Sequence, residues 1–177
     1  MRLEIRDKGN WRKRDVYIPI FIWLVGLFSR SFKQRFYNEY FTTSGDVVYC
    51  PGCADDVLAR PAAYEAILRH EAAHVRDWKT YGAKFSLTYA LSRKWRAYWE
   101  YRGYMQNMLV EYERSGKISD LKMLWLKDVF SGPMYFWMDT NPMPTLTKIR
   151  DDIYDFEGKH PDSIPLRAIE CTRPSHF

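Results

Sequence analysis

Two histidines four residues apart, with a glutamate directly after the first, are the residues of this chain with the spacing best suited to chemistry. His70, Glu71 and His74 form the pattern His-Glu-Ala-Ala-His. On an α-helix the two histidines lie about 40° apart around the axis and roughly 6 Å apart along it, so both imidazoles can reach one tetrahedral ion. Glu71 lies about 60° from His74, where its carboxylate can reach a water on the metal without binding the metal. The spacing predicts two zinc ligands and a general base.

The segment around these residues has the periodicity of a helix. Pro61 suits a first helical turn and Gly82 suits an exit, which predicts a helix at about residues 61–81. On a helical wheel both histidines fall on the apolar side, which we expect to be buried. The opposite side should face solvent, and it carries Arg69, Ala72, Arg76 and Lys79. A metal ion would satisfy two buried imidazoles at once, whereas ordinary core or surface histidines of a helix are the alternative.

A catalytic zinc ion normally holds three protein side chains, so a third ligand must come from another segment. The longer metzincin pattern requires glycine and histidine where this chain has Asp77 and Thr80. A glutamate on a following helix is the remaining source, and the segment Arg-Ala-Tyr-Trp-Glu-Tyr-Arg-Gly-Tyr supplies Glu100. Glu100 is therefore the predicted third ligand. The reserve candidates are Asp77, Glu111 and His160.

In these two segments the chain resembles the gluzincins, the thermolysin-like division of the zincin metallopeptidases. More specifically, it resembles small bacterial and phage zincin-like metallopeptidases, which follow the His-Glu-x-x-His helix with a Glu-x-x-Ala-Tyr-type segment. The resemblance covers about a third of the chain, Val47 to Tyr104. Glu100 and Tyr104 stand at matching positions, whereas Gly103 stands where alanine is usual and Arg102 where an acidic residue is common. The resemblance implies a zincin-like fold with a zinc cofactor.

The reaction that these residues predict is hydrolysis of a peptide bond in a protein or peptide substrate. Zinc polarises the carbonyl group and lowers the pKa of its water, while Glu71 takes and later returns a proton. Tyr104, one turn after Glu100, is a candidate donor to the developing oxyanion, and a packing role is the alternative. Asp77 lies close to His70 on the wheel, so it either orients a ligand imidazole or forms a surface salt bridge.

Polar residues form a stripe on the helix that carries Glu100. The stripe fits either a solvated face or the lining of a catalytic cleft, and periodicity cannot separate the two. Its other members are Arg93, Arg96, Tyr104, Asn107 and Glu111. We expect this helix to run to about Arg114, with further helices at about residues 119–130 and 145–157.

The N-terminal region predicts strands. Arg35–Phe41 and Asp46–Tyr49 have aromatic and β-branched character on either side of the hairpin-like turn Thr43-Ser-Gly-Asp46. By the zincin resemblance, an edge strand here would align an extended peptide through main-chain hydrogen bonds. The expected fold class is α+β and zincin-like, with a small N-terminal antiparallel sheet packed on the active-site helix and on a second, ligand-bearing helix.

A single domain is expected for 177 residues. We expect a sheet-rich part at residues 1–60, a helical core at 61–130 and an irregular or helical C-terminal extension at 131–177. The hydrophobic run Val16–Phe28 follows basic residues but is too short to span a bilayer as a helix, and no small-residue cleavage pattern follows it. A buried strand or short core segment is favoured there, ahead of insertion at a membrane surface and of an uncleaved, signal-like anchor.

Three cysteines cannot all pair, and Cys50-Pro-Gly-Cys53 has no second pair at zinc-ribbon spacing. We therefore expect two reduced thiols, with a local disulfide or a redox role for the pair as the alternative. The expected location is cytoplasmic, with virion association or peripheral membrane binding as alternatives. A net charge of +5 and the segment Arg93–Arg102 support a second hypothesis, nucleic-acid binding, although no recognised nucleic-acid-binding pattern accompanies them. A third hypothesis is a non-catalytic zincin-fold protein, such as a phage particle component. The oligomeric state stays open.

Overall fold

The computed structural model describes residues 1–15, 18, 30–133, 137–156 and 159–174, which form an α+β fold. One sheet contains the strands β1 (Arg2–Asp7), β2 (Thr42–Ser44), β3 (Val47–Cys50) and β4 (Glu170–Thr172). The helices of the described residues are α1 (Arg30–Asn38), α2 (Ala54–Ala59), α3 (Glu65–Tyr81), α4 (Ala83–Leu91), α5 (Arg93–Ser115), α6 (Asp120–Ser131) and α7 (Met143–Asp155). Short 3₁₀ turns lie at Lys13–Asp15, Pro61–Tyr64 and Leu166–Ala168.

The sheet has the strand order β2-β3-β1-β4 and is mixed. The predicted hairpin is confirmed: β2 and β3 are antiparallel, and Gly45 in the turn between them has a φ of 64°, which glycine adopts without strain. The prediction of an antiparallel N-terminal sheet was wrong, because β1 pairs in parallel with both β3 and β4. Turn residues predict only the local pairing of β2 with β3. The strands that pair with β1 are distant from it in sequence, so no turn indicates their direction.

The strand predicted at Arg35–Phe41 was also wrong, because α1 occupies most of that segment. Aromatic residues favour strands only weakly, and packing overrides that preference. Here Phe36 is buried and its ring stacks over Trp11 at a centroid distance of 6.4 Å. Gln34 and Arg35 are exposed, so the helix has one buried face and one solvated face.

Helix α3 lies at the centre of the fold, and the helix predicted at residues 61–81 is confirmed. The 3₁₀ turn that begins at Pro61 leads into α3, which ends at Gly82. The predicted solvent face was wrong for Arg69 and Ala72, which are 1% and 0% exposed. Ala72 packs in a core cluster with β1 and β3, and α5 covers another side of the helix. The helical-wheel prediction assumed that one side of the helix faces solvent. It failed because the sheet covers one side of α3 and α5 covers another.

The predicted end of α5 and both predicted ends of α6 and α7 agree with the structure to within about two residues, whereas α4 was not predicted. Helix α5 ends at Gly116, Ser119 caps α6 by accepting a hydrogen bond from the backbone N–H of Lys122, and α7 spans most of the predicted last helix. A second core cluster joins α5, α6 and α7, and its members include Tyr101, Met108, Leu126, Phe130, Leu146 and Ile153. This cluster anchors the face of α5 that lies away from the sheet.

The hydrophobic run at residues 16–28 lies outside the described residues, apart from position 18. No helix among the described residues has the length and apolar character needed to cross a bilayer. The thiols of Cys50, Cys53 and Cys171 are free, and burial raises the pKa of Cys50 above its usual value.

An ion pair between a buried arginine and an exposed glutamate ties α3 to α5. Arg69 donates to Glu113 through Nη1 at 2.5 Å and through Nη2 at 3.0 Å, and Nη2 also donates to Ser163 Oγ at 2.9 Å. The hydrogen bond from Arg69 lowers the pKa of Glu113 from its usual 4.5. These contacts connect the two central helices to the segment that leads into β4.

Glu113→Ala should lower the free energy of unfolding by about 2–3 kcal/mol in urea titrations, because it leaves a buried guanidinium without its main carboxylate. The matched control is Arg114→Ala, which removes an exposed pair with Glu65 and should change stability by less than about 1 kcal/mol. Since Arg69 lowers the pKa of Glu113, the stabilisation is present above pH 4.5 and is lost as pH falls through the lowered pKa. If the two variants lowered the free energy of unfolding equally at neutral pH, the stabilising role of the Arg69–Glu113 pair would be contradicted.

Candidate metal centre

Three ligand atoms from two helices converge between α3 and α5. The Nε2 atoms of His70 and His74 lie 3.0 Å apart, and the Glu100 carboxylate lies 3.5 Å from the first and 3.6 Å from the second. The three side chains are buried, and their ligand atoms lie within 4.8 Å of one another. Ligand atoms around a tetrahedral zinc ion are about 3.4 Å apart, given bonds of about 2.0–2.2 Å. His70, His74 and Glu100 therefore form a buried group that could hold a metal ion.

Two buried atoms of this group have no hydrogen-bond partner, His74 Nδ1 and Glu100 Oε2. A carboxylate oxygen without a partner in the protein interior is costly, and a cation would compensate it. Glu100 Oε2 faces His70 Nε2 at 3.5 Å, so the unpartnered oxygen lies on the side where the imidazoles converge. The donor set fits a divalent metal ion.

Two residues of α5 fix the ring of His70. Asn107 Oδ1 accepts a hydrogen bond from His70 Nδ1 at 3.0 Å, which directs Nε2 toward His74 and Glu100. Gly103 allows the ring to lie against the helix backbone, since a Cβ atom there would be 2.7 Å from His70 Nε2 and Cε1. The glycine that departs from the zincin-like pattern is therefore the residue that makes room for the ligand. The sequence placed Asn107 on the polar stripe but gave it no role.

Tyr104 contacts His70 through its ring, in an edge-to-face arrangement with centroids 4.6 Å apart. The same ring packs against Trp125 and Phe130, and Tyr104 is 5% exposed. The polar stripe on α5 thus turns toward α3, where Glu100, Tyr104 and Asn107 all lie against His70. A donor role for the Tyr104 hydroxyl stays a prediction.

Glu100 is held by a tyrosine that the sequence did not single out. Tyr89 of α4 donates its hydroxyl to Glu100 Oε1 at 2.5 Å. Burial and the neighbouring carboxylate raise the pKa of Tyr89 well above its usual value, so the hydroxyl stays protonated and remains a donor. No motif marks Tyr89, because the contact depends on how α4 folds back against α5.

The charges in the group compensate one another. Burial works against protonation of His70, but hydrogen bonding and attraction to Glu100 outweigh it, so the pKa of His70 is raised. Burial and the nearby His70 lower the pKa of His74. Burial opposes ionisation of Glu100, yet the two imidazoles hold its pKa below the usual value. The histidines and the carboxylate thus stabilise opposite charges in one another, and a bound metal ion would supply positive charge at the same place.

Glu71 lies beside the group without belonging to it. Its side chain is 6% exposed, and its Oε2 accepts a hydrogen bond from Thr43 Oγ1 at 2.6 Å. Thr43 belongs to β2, which among the described residues is the strand at one edge of the sheet. The predicted base is therefore linked to the strand predicted to align a substrate, a contact that no local sequence pattern signals.

Asp77 forms an ion pair and does not orient an imidazole. Both of its carboxylate oxygens accept from Arg102 Nε at 3.0 Å, and the carboxylate is 1% exposed. The alternative of a surface salt bridge was wrong too, because Asp77 is buried and its partner Arg102 of α5 is only partly exposed. Arg102, the second departure from the zincin-like pattern, is thus explained by its partner. The orienting contact to His70 comes from Asn107.

The other reserve candidates have structural partners elsewhere. Glu111 Oε1 accepts from the backbone N–H of Ser119 at 2.7 Å, at the start of α6. His160 Nε2 lies 3.1 Å from Asp152 Oδ2. The structure brings neither residue to the group formed by His70, His74 and Glu100.

Comparisons of the chain with protein-family models, with curated proteins and with solved structures give no match in any of the three. The interpretation of this site therefore depends on its own geometry and chemistry.

Gly103→Ala should lower the affinity for Zn²⁺ by about 10- to 100-fold, because the added methyl group displaces the ring of His70. Competition with a chromogenic chelator measures the affinity. Replacing a helical glycine by alanine otherwise stabilises a helix by about 1 kcal/mol. A variant that melts at a higher temperature and binds Zn²⁺ as tightly as the wild type would show that the close contact has no role.

Asn107→Leu should weaken Zn²⁺ binding by about 10- to 100-fold, because it removes the acceptor that orients His70. Asn107→Asp is the matched control, since it keeps an oxygen acceptor at the same position and should bind at least as tightly as the wild type. Titration with Co²⁺ as a spectroscopic probe reports the ligand geometry of each variant. Equal binding by both variants would exclude an orienting role for Asn107.

Proposed function

We propose that this protein is a zinc-dependent peptidase of the gluzincin type. The observation that carries the proposal is the convergence of His70, His74 and Glu100 beside the separate carboxylate of Glu71. Two imidazoles and one carboxylate from a second helix are the donor set of a known class of catalytic zinc sites. A glutamate that follows the first histidine and stays out of the ligand group is suited to act as a base.

Each residue of the site has a distinct task in the proposed reaction. The bound zinc ion would supply Lewis-acid polarisation of the scissile carbonyl group and of a water molecule. Glu71 takes a proton from the attacking water and returns it to the leaving amine. Thr43 directs the carboxylate of Glu71 through the hydrogen bond at 2.6 Å. Tyr89 directs the carboxylate of Glu100 through the hydrogen bond at 2.5 Å.

The edge of the sheet supports a peptide as the substrate. β2 is the terminal strand in the order β2-β3-β1-β4, and its Thr43 contacts Glu71 directly. An extended peptide that pairs with this edge would therefore pass the proposed base. Tyr104, packed against His70, is the proposed donor to the oxyanion, and Tyr104→Phe would isolate the contribution of its hydroxyl.

A metal centre that only stabilises the fold is a second candidate, and the burial of the site favours it. His70 and His74 are 7% and 6% exposed, and Glu100 is 2% exposed. Catalytic zinc sites keep one position open for water and substrate, whereas structural sites are closed. Peptidase activity therefore requires a substrate to reach a site whose ligands are buried.

Glu71→Gln separates the two candidates. It should keep about one Zn²⁺ per chain and lower the hydrolysis of an unfolded protein substrate by about 10²- to 10⁴-fold, because the base is lost and the ligands are not. Glu100→Gln is the matched carboxylate-to-amide change and should lose the metal itself. Metal content by mass spectrometry and cleavage of fluorescent casein measure the two effects.

Other results would change the assignment. A wild-type protein that holds Zn²⁺, melts earlier after chelation and cleaves no peptide would support the structural role. A protein that binds no metal in either the wild-type or the His70→Ala form would contradict both candidates.

A further inference from the structure

Helices α4 and α5 meet beside Tyr81, the last residue of α3, at a corner that exposes large apolar side chains. We define the α4–α5 corner by its exposed members Tyr81, Leu87, Leu91, Trp95 and Tyr98. Leu91 is 83% exposed and Leu87 is 60% exposed, high values for leucine. Exposed apolar side chains gathered in one region mark contact surfaces more often than single ones do.

The aromatic members of the corner form one continuous patch around Trp99, which is itself buried. The ring of Trp99 lies 5.1 Å from Tyr81, 5.9 Å from Trp95 and 4.7 Å from Tyr98, measured between centroids. Leu87 and Leu91 are four residues apart and share one face of α4. Ser92 links that helix to α5, so Leu91 at the end of α4 and Trp95 in the first turn of α5 lie on either side of this link.

The segment that carries this patch is rich in positive charge. Residues 78–99 contain five basic residues and no acidic ones: Lys79, Lys84, Arg93, Lys94 and Arg96. This segment alone carries a charge equal to the net charge of the whole chain, which is +5. Lys79, Lys84, Arg93 and Lys94 are exposed. Exposed cations in the same segment as exposed apolar and aromatic side chains complement an anionic surface with an apolar interior.

We propose that the α4–α5 corner docks on an anionic lipid surface. Leu87, Leu91 and Trp95 enter the headgroup region, and the lysine and arginine side chains contact lipid phosphates. Charge complementarity alone would also fit a nucleic acid. The two leucines add nothing to phosphate binding, and the ring of Trp95 is already stacked on Trp99 at an interplanar angle of 26°. These two features favour the lipid.

Docking at this corner would bring the metal centre to the membrane surface. Phe85 of α4 lies between the two, with its ring centroid 5.2 Å from Trp99 and 6.1 Å from His74. Tyr89 of the same helix bonds Glu100. The docking itself does not depend on the proposed peptidase activity, because the corner contains no residue of the ligand group.

A second exposed patch supplies a control of similar chemistry. Leu121 and Leu124 of α6 are 77% and 53% exposed. Helix α6 carries two basic and two acidic residues, so its charge is balanced: Asp120, Lys122, Lys127 and Asp128. If apolar exposure alone drove binding, the two patches would act alike. If the positive charge near the apolar side chains is also required for lipid binding, only the α4–α5 corner should bind the vesicles.

The test is sedimentation of the full-length protein with vesicles of phosphatidylcholine, either pure or mixed with phosphatidylglycerol. The wild type should bind the mixed vesicles and bind the pure ones much more weakly. Lys84→Gln with Lys94→Gln should weaken binding by about fivefold for each cation lost. Leu91→Ser with Trp95→Ser should weaken it by about tenfold or more. Leu121→Ser with Leu124→Ser should leave it unchanged.

Each remaining outcome overturns the proposal. These are an absence of wild-type binding to the mixed vesicles, unchanged binding by both corner variants, or an equal loss in the α6 control. Preferential binding of a single-stranded oligonucleotide through the same residues would assign the corner to nucleic acid instead. Circular dichroism and bound Zn²⁺ show whether each variant is folded. Unchanged metal content and casein cleavage in the corner variants would keep a failure of docking distinct from a failure of the proposed function.

Discussion

The contact between the His70 ring and the backbone of α5 at Gly103 is the constraint on which the site depends. A side chain larger than hydrogen at that position would meet the imidazole at 2.7 Å, so the two helices could not approach as closely. The close approach brings Asn107 to the far nitrogen of the ring and Glu100 to the near one. The ligand geometry thus follows from helix packing more than from any single strong interaction.

Burial of α3 on several sides explains the polar contacts around it. Arg69 and Asp77 are each 1% exposed, and each has a partner of opposite charge on α5. An unpaired charge at either position would be costly, so both pairs lock the register of the two helices. The Arg102 pair with Asp77 also accounts for a basic residue where related patterns carry an acidic one. Packing and electrostatics therefore favour a single arrangement of the ligands.

The site lies between two surfaces with different chemistry. On one side Thr43 of the edge strand β2 holds Glu71, and main-chain groups at a sheet edge suit an extended peptide. On the other side Phe85 and Tyr89 separate the ligands from the basic, apolar α4–α5 corner. The first surface is the proposed substrate site, and the second is the proposed lipid-docking surface. The ligand group between these surfaces is itself buried.

The sequence by itself determined the features that depend on neighbouring residues. It predicted the helix between Pro61 and Gly82, the two histidines on its apolar side, and the ends of the later helices. Capping residues and apolar periodicity are local signals, so each can be identified from a few neighbouring residues. Glu100 was predicted from a pattern one helix away, and the structure places it beside both histidines. Only the tertiary structure decided the parallel pairing of β1, the burial of Arg69, and the contacts of Asn107 and Tyr89. These depend on which distant segments pack together, and no local signal carries that information.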